Sequence, residues 1–117
     1  MKETNVIYAI SVASYKNAIT HMKKQEVVCR EYLKKKGIMD NIVVFNDMLC
    51  GTQMPILEAL ETLIKAEYIK SVTFKSIGLL SLGNIKDLMR LAIEYDIDIY
   101  VLDLNLTELL ETLGFVV

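Results

Sequence analysis

Apolar residues in this chain come in short unbroken runs separated by longer, periodic stretches, and that alternation predicts its architecture. The runs at 6–10 (Val-Ile-Tyr-Ala-Ile), 42–45, 72–74 and 97–102 have the length and composition of buried strands. Between them the period lengthens to that of a helix. The first helical pattern covers 17–36, with Ile19, Met22, Cys29 and Leu33 near one face and Gly37 placed to end it in a left-handed conformation. The second opens at Pro55, a residue suited to a first helical position, and turns Ile56, Leu57, Leu60, Leu63 and Ile64 inward, with Glu58 and Glu61 near its positive end. The third starts at Asn84 as N-cap, with Asp87 three residues on, and buries Leu88, Leu91 and Ala92, while Met89 and Ile93 widen the apolar stripe. A short fourth helix is expected over 107–113, closed by Gly114, and 115–117 add an edge strand.

Strand and helix alternating in this way predict an α/β fold: a three-layer α/β/α sandwich on a mainly parallel sheet of four to five strands, joined by right-handed crossovers. The 117 residues fit one domain spanning 1–117, and no repeat, linker or low-complexity tract divides them. Ligands of such sheets bind where loops leave the carboxyl ends of the strands. The loops near 11–16, 46–54, 75–83 and 103–106 are therefore expected to converge.

Charge narrows the range of partners. Lys and Arg number 13 against 15 Asp and Glu, giving −2, and the only arginines are Arg30 and Arg90, both within helical patterns. Autonomous DNA binding is expected to be weak or absent. The three lysines at 34–36 complement the negative end of the first helix rather than forming a nucleic-acid patch. No apolar run approaches the roughly 20 residues that span a bilayer, and the N-terminus leads straight into a strand pattern, so a cytoplasmic protein without membrane attachment is expected. Cys29, Cys50 and the single His21 match no zinc spacing, and neither a metal nor another cofactor is implied.

The convergent loops carry Ser11, Ser14, Tyr15 and Lys16 in the first, Asn46, Asp47, Cys50, Thr52 and Gln53 in the second, and Lys75, Ser76 and Ser81 in the third. A nucleophilic serine needs an activating base, and His21, inside the first helix, supplies none convincingly. Phosphoryl transfer calls for fixed cations, preferably guanidinium forks, and Lys75 is the one candidate. Gly78 and Gly83 do not form a nucleotide-binding loop, and the spacing of Asp47, Asp98 and Asp103 does not pair acids at the end of the first strand as a magnesium site would.

In order along the chain, three segments resemble the N-terminal catalytic domain of the serine recombinases, the resolvase and invertase family. Residues 6–14 are similar to its Tyr-x-Arg-x-Ser strand and lead to a helix carrying Gln25 and 29–33 (Cys-Arg-Glu-Tyr-Leu); 45–57 resemble its Asp and Ser-Gly segment running through Arg-Pro into a helix; and 74–82 resemble its Lys-x-x-Asp-Arg-Leu-Ser-Arg loop. The resemblance, over about 5–105, implies the fold derived above and an ancestry in DNA cleavage through a covalent phosphoserine, with an arginine cluster stabilising the transition state. The functional residues depart from it. With Tyr8 as the family tyrosine, Ile10 stands for the arginine and Val12 for the nucleophile; a register using Ser14 puts Val12 at the arginine and Ile10 at the tyrosine. Cys50 stands at the serine before Gly51, Met54 at the arginine before proline, Gly78 at the loop aspartate, and Leu79 and Leu82 at its two arginines, while Lys75, Leu80 and Ser81 are kept and Asp47 falls among the former-site positions.

Loss of one preorganised charge stabiliser typically lowers rate by about 100 to 1000-fold. Ile, Met and Leu would desolvate a phosphate while offering it no donor. The resemblance therefore implies a catalytically silent member, a pseudoenzyme with no confident catalytic residue and only Ser11, Ser14, Lys75 and Ser81 as vestigial candidates. It would act by binding protein, either itself or a full-length recombinase of the same mobile element. The longer family members continue into a dimerisation helix and a DNA-binding region, which a chain ending near Val117 is expected to lack. Two other readings stand beside this one: a working recombinase fragment using Ser14 or Ser11, and an unrelated small-ligand or phospho-signalling α/β domain. The rim formed by Met54, Leu79 and Leu82 is expected either to meet a partner or to close over by core packing.

Overall fold

In the computed structural model, residues 2–12, 16–49 and 55–103 are described, together with Glu108, Glu111 and Gly114. Strands β1 (Thr4–Val12), β2 (Ile42–Leu49), β3 (Ile69–Phe74) and β4 (Asp98–Val101) alternate with helices α1 (Ala18–Lys35), α2 (Pro55–Lys65) and α3 (Leu82–Glu94). The four strands form one parallel sheet in the order β2-β1-β3-β4. This is the α/β sandwich that the alternation of runs implied.

The pleat of β1 sorts its side chains between two unequal cores. Val6, Tyr8 and Ile10 join Leu57, Leu60 and Ile64 of α2 and Ile85, Leu88 and Met89 of α3 in the larger one. Ile7, on the opposite face, meets Cys29 and Leu33 of α1 in the smaller one. Being covered on both faces, β1 reads as a continuous apolar run rather than an alternating one. On α1 the inward positions are Ala18, Met22, Gln25, Cys29 and Leu33, so the stripe includes a buried amide.

Several expected positions shift. β1 runs on through Ser11 and Val12, and β2 through Asn46 and Asp47, because the two strands pair in register from Asn5 opposite Ile42 to Val12 opposite Leu49. Residues expected in loops thus become strand. Ile19 is exposed because it lies off the Ala18–Met22 row, and Ile93 is exposed on the last turn of α3, whereas Met89, one turn before it, is buried. The cap of α3 is Ser81 rather than Asn84: its hydroxyl accepts a hydrogen bond from the Asn84 backbone N–H at 3.1 Å, starting the helix at Leu82. Of the expected fourth helix, Glu108 and Glu111 are helical and Gly114 has φ +86, with its N–H bonded to the Glu111 carbonyl at 3.0 Å; the remainder, and the 115–117 strand, lie outside the described residues. Among the described residues no helix is long and apolar enough to cross a membrane.

Helix ends show where the chain's geometry is unfavourable. Gly37, at φ +79, closes α1 with two bonds, Gly37 N–H to the Lys34 carbonyl and Ile38 N–H to the Leu33 carbonyl, and Ile38 packs on the same core as Leu33. α2 ends with the same pair of bonds, Glu67 N–H to Ile64 and Tyr68 N–H to Leu63, but the left-handed residue is Glu67 at φ 63. A side chain there costs about 1–2 kcal/mol, partly offset in glycine by its greater freedom when unfolded. Glu67→Gly is therefore expected to raise stability by roughly 0.5–1 kcal/mol, read as a higher denaturant midpoint with an unchanged slope.

Candidate functional site

The chain leaves β1 for α1 on one face of the sheet and leaves β3 for α3 on the other. These neighbouring strands therefore diverge at their carboxyl ends, where open α/β sheets place their ligands. A cavity of about 340 Å³ lies at this point, lined by Ile10, His21, Gln25, Lys75, Ser76, Gly78, Leu79 and Asp103. The β1 end, the loop after β3 and the exit from β4 do converge, as expected. The 50–54 part of the second loop lies outside the described residues.

What shapes the cavity is a mismatch in strand length. β1 stays paired with β2 to Val12, but its pairing with β3 stops at Tyr8 opposite Phe74. Beyond Tyr8 the backbone of β1 needs substitute partners on the β3 side. Gln25 supplies them for Ile10: its Oε1 accepts from the Ile10 N–H at 3.0 Å and its Nε2 donates to the Ile10 carbonyl at 2.7 Å. One helix side chain thus completes the ladder and fixes α1 against the end of β1.

The same amide sets up the next contact. Gln25 Nε2 is 3.4 Å from His21 Nδ1, and Ser11 Oγ is 3.3 Å from that nitrogen. Nδ1 thus sits between the Gln25 amide and the Ser11 hydroxyl, and which of the Nδ1–Ser11 pair donates follows from the imidazole tautomer. The expectation that His21 would not reach a serine is corrected: position 21 lies in the first turns of α1, which brings its ring back over Ser11. Yet Ser11 is only 1% exposed and does not line the cavity, so the pair is an interior hydrogen bond rather than a presented nucleophile. A lone glutamine within the apolar stripe of α1 was the one sequence signal of this arrangement.

Lys75 follows β3 directly, and its Nζ lies 3.8 Å from Asp103 Oδ2, both side chains being nearly half exposed. It is the one lysine or arginine among the described lining residues, and a carboxylate stands beside it. Arg30 bonds Glu26 at 2.9 Å and Arg90 contacts Asp87 at 3.5 Å, each along its own helix surface and neither lining the cavity. Of the loop after β3, Ile77 and Leu80 are buried, Leu79 lines the cavity and is 38% exposed, and Leu82 is 60% exposed. Leu79 and Leu82 do not close the site by core packing. Ser81 is engaged as the α3 cap, and the Gly78 N–H donates to Ser76 Oγ at 3.3 Å. Val12 ends β1, partly exposed. Ser14, Cys50, Gly51 and Met54 lie outside the described residues.

Asp47 was expected in a loop, but on β2, opposite Ile10, it is fully buried and faces the larger core. The Tyr8 hydroxyl donates to its Oδ2, while Oδ1 has no hydrogen-bond partner among the described residues. Burial, reinforced by the bond to Asp47 and its negative charge, pushes the Tyr8 phenol far above its ordinary range. The Tyr8 ring also packs on Phe74 at 5.2 Å between centroids.

No family model matches the sequence, and no curated protein matches it. Solved structures do. The C-terminal catalytic domain of ISC1926 TnpA, an IS607-like serine recombinase, superposes with a TM-score of 0.72 at 24% identity, covering 95% of this chain and 77% of that one. The N-terminal catalytic domain of TP901-1 integrase gives 0.70 at 14% identity, over 86% and 79% of the two chains. The fold is that of a serine recombinase catalytic domain. The first open reading frame of transposon ISC1904 from Sulfolobus solfataricus P2 shares it, with a TM-score of 0.68 at 17% identity over 94% of this chain and 77% of that one. On this recombinase fold the sequence has placed Ile10 and Leu79 at the cavity wall.

Two measurements probe the buried polar pair. Tyr8→Phe strips the Asp47 carboxylate of its described donor inside the core, and a loss of about 1–3 kcal/mol is expected in chemical denaturation. For pH, both Tyr8 and Cys29 hold their protons more tightly when folded, with burial pushing the Cys29 thiol up to about 11. The unfolded chain then binds fewer protons, so stability is intact below 9.0, the ordinary thiol value, and falls as pH climbs past it and past 10.0, the ordinary phenol value. Above that point Tyr8→Phe is expected to flatten the decline by up to about 1.4 kcal/mol per pH unit.

Proposed function

We propose that this domain is a catalytically silent relative of the serine recombinases that serves DNA recombination by binding protein, pairing with a second copy of itself or with a full-length recombinase. The observation that carries the reading is the make-up of the cavity wall. At positions matching the family's arginines stand Ile10 and Leu79, with Leu82 just beyond, and the cation that remains, Lys75, has Asp103 beside it. Transfer of a phosphodiester to serine loads negative charge onto oxygens that the enzyme must meet with fixed donors, each contributing about 100 to 1000-fold in rate. An apolar wall removes water without replacing it. Exposure of Leu79 and Leu82 beside the cavity supports a protein-facing role, since large apolar side chains grouped at a rim suit the centre of an interface.

The second reading, a working nuclease centre, draws on the 3.3 Å approach of Ser11 to His21. A hydroxyl 1% exposed would have to leave the interior to attack, and its neighbours offer no guanidinium to hold the phosphate.

Incubation with supercoiled DNA carrying recombinase crossover sites separates the two. The silent reading expects no denaturation-resistant protein–DNA adduct, alone or with added Mg²⁺. An adduct lost in Ser11→Ala or Ser14→Ala overturns it.

A further inference from the structure

The surface of α1 is charged unlike the rest of the chain. Between Ala18 and Lys35 five lysine and arginine side chains stand against two glutamates, a net +3 in a chain whose total is −2. Apolar side chains are exposed among them: Val27 and Val28 lie clear of the buried row through Met22, Cys29 and Leu33.

Along the flank of α1 nearer β3 and β4 run two hollows of about 520 and 620 Å³, which share Val28. Val27, Val28, Val101 and Leu102 give them an apolar floor. Lysines stand at both ends, Lys23, Lys24 and Lys75 at one and Lys35 and Lys36 at the other, and Glu31 is the one carboxylate among the described lining residues. Lys36 is held in place, its ammonium 5.2 Å from the centroid of the Tyr32 ring and 4.9 Å from that of Tyr100. Lys24 and Lys35 make no ion pair among the described residues. From Lys23 to Lys36 the groove runs about 20 Å, roughly the length of three to four helical turns.

Different polyanions would meet this groove differently. A membrane surface touches the lysine ends and leaves a recessed floor unfilled. A nucleic-acid backbone brings phosphates to the lysines but finds no donor or acceptor on the valines and leucine beneath. A helix fills both parts: apolar side chains three and four residues apart enter the floor, and carboxylates a turn or two to either side reach the lysines. We propose that the groove receives an acidic amphipathic helix from a partner protein, its apolar face on Val27, Val28 and Val101 and its carboxylates toward the lysines at the two ends. The inference rests on the protein-binding half of the functional proposal, for which it names a surface and the chemistry of the partner; catalytic silence does not enter it.

Fluorescence anisotropy of a labelled peptide tests the assignment. The probe, about 16 residues long so as to span the groove, carries leucines on one helical face and glutamates on the others; a scrambled peptide of the same composition has its leucines spread round the helix. Saturable binding is expected for the first and weaker binding for the second. Lys24→Glu combined with Lys35→Glu reverses charge at two exposed rim positions and is expected to weaken binding about tenfold. Val27→Asp is expected to weaken it as well, whereas Lys65→Glu with Arg90→Glu, the same change of charge on α2 and α3, leaves it within about twofold. Far-UV circular dichroism checks the fold of each variant. No saturable binding, equal binding of the scrambled peptide, or an equal loss in the α2 and α3 variant overturns the proposal. Tighter binding of short duplex DNA or of vesicles containing phosphatidylserine, lost in the same rim variant, overturns it by giving the groove another occupant. Dimers in sedimentation velocity that separate on Lys24→Glu with Lys35→Glu place a second copy there and overturn it too. Self-association unaffected by the rim variant, found together with no peptide binding, overturns this inference and leaves the functional proposal standing.

Discussion

β1 is held by two parallel ladders of different length, and the discrepancy at its end organises much of the molecule. With β2 the pairing is complete to Val12; with β3 it stops at Tyr8. The strand thus projects past one neighbour with backbone polar groups that must be satisfied in a nearly dry environment. Gln25 satisfies them, and in doing so it sets the position of α1, brings His21 over Ser11 and leaves the hollow beside Lys75.

The interior of the fold was legible from the chain because burial on both faces makes a strand a plain apolar run, and such runs at 6–10, 42–45, 72–74 and 97–102 mark all four strands. Their limits were not legible. Whether Ser11, Val12, Asn46 and Asp47 belong to strand or loop is decided by the partner across the ladder, which local composition does not encode. Ile19 misled for a related reason: apolar character alone does not say on which side of a helix a residue falls once the stripe is phased by Met22. Ser81 and Asn84 are both good caps by type, and only the approach of the Ser81 hydroxyl to the Asn84 N–H separates them. The contact of Ser11 with His21 joins a strand to a helix, and no spacing along the chain announces it.

The cavity lies where open α/β sheets bind their ligands, and its described lining carries one lysine and no arginine. Its location follows from topology, since adjacent parallel strands whose connections depart to opposite faces leave a crevice whatever the side chains. Its chemistry follows from sequence, which here offers a lysine beside a carboxylate, an imidazole, an amide, a serine and apolar side chains. Fold and activity are separate questions in such a case, because the scaffold is set by the packing of the sheet and any reaction by the side chains at its edge. Tyr8 and Asp47 serve the interior, one hydroxyl bonded to one carboxylate in the larger core.

Parallel order carries a cost in time. Of the four strands β1 is synthesised first, yet its partners lie far downstream, Ile42 opposite Asn5 and Val72 opposite Val6. No hairpin can shelter it meanwhile, as parallel neighbours require a crossover between them. Until residue 74 has emerged, one margin of the most water-averse segment stays open during synthesis, and nascent-chain protection by chaperones matters most over that interval.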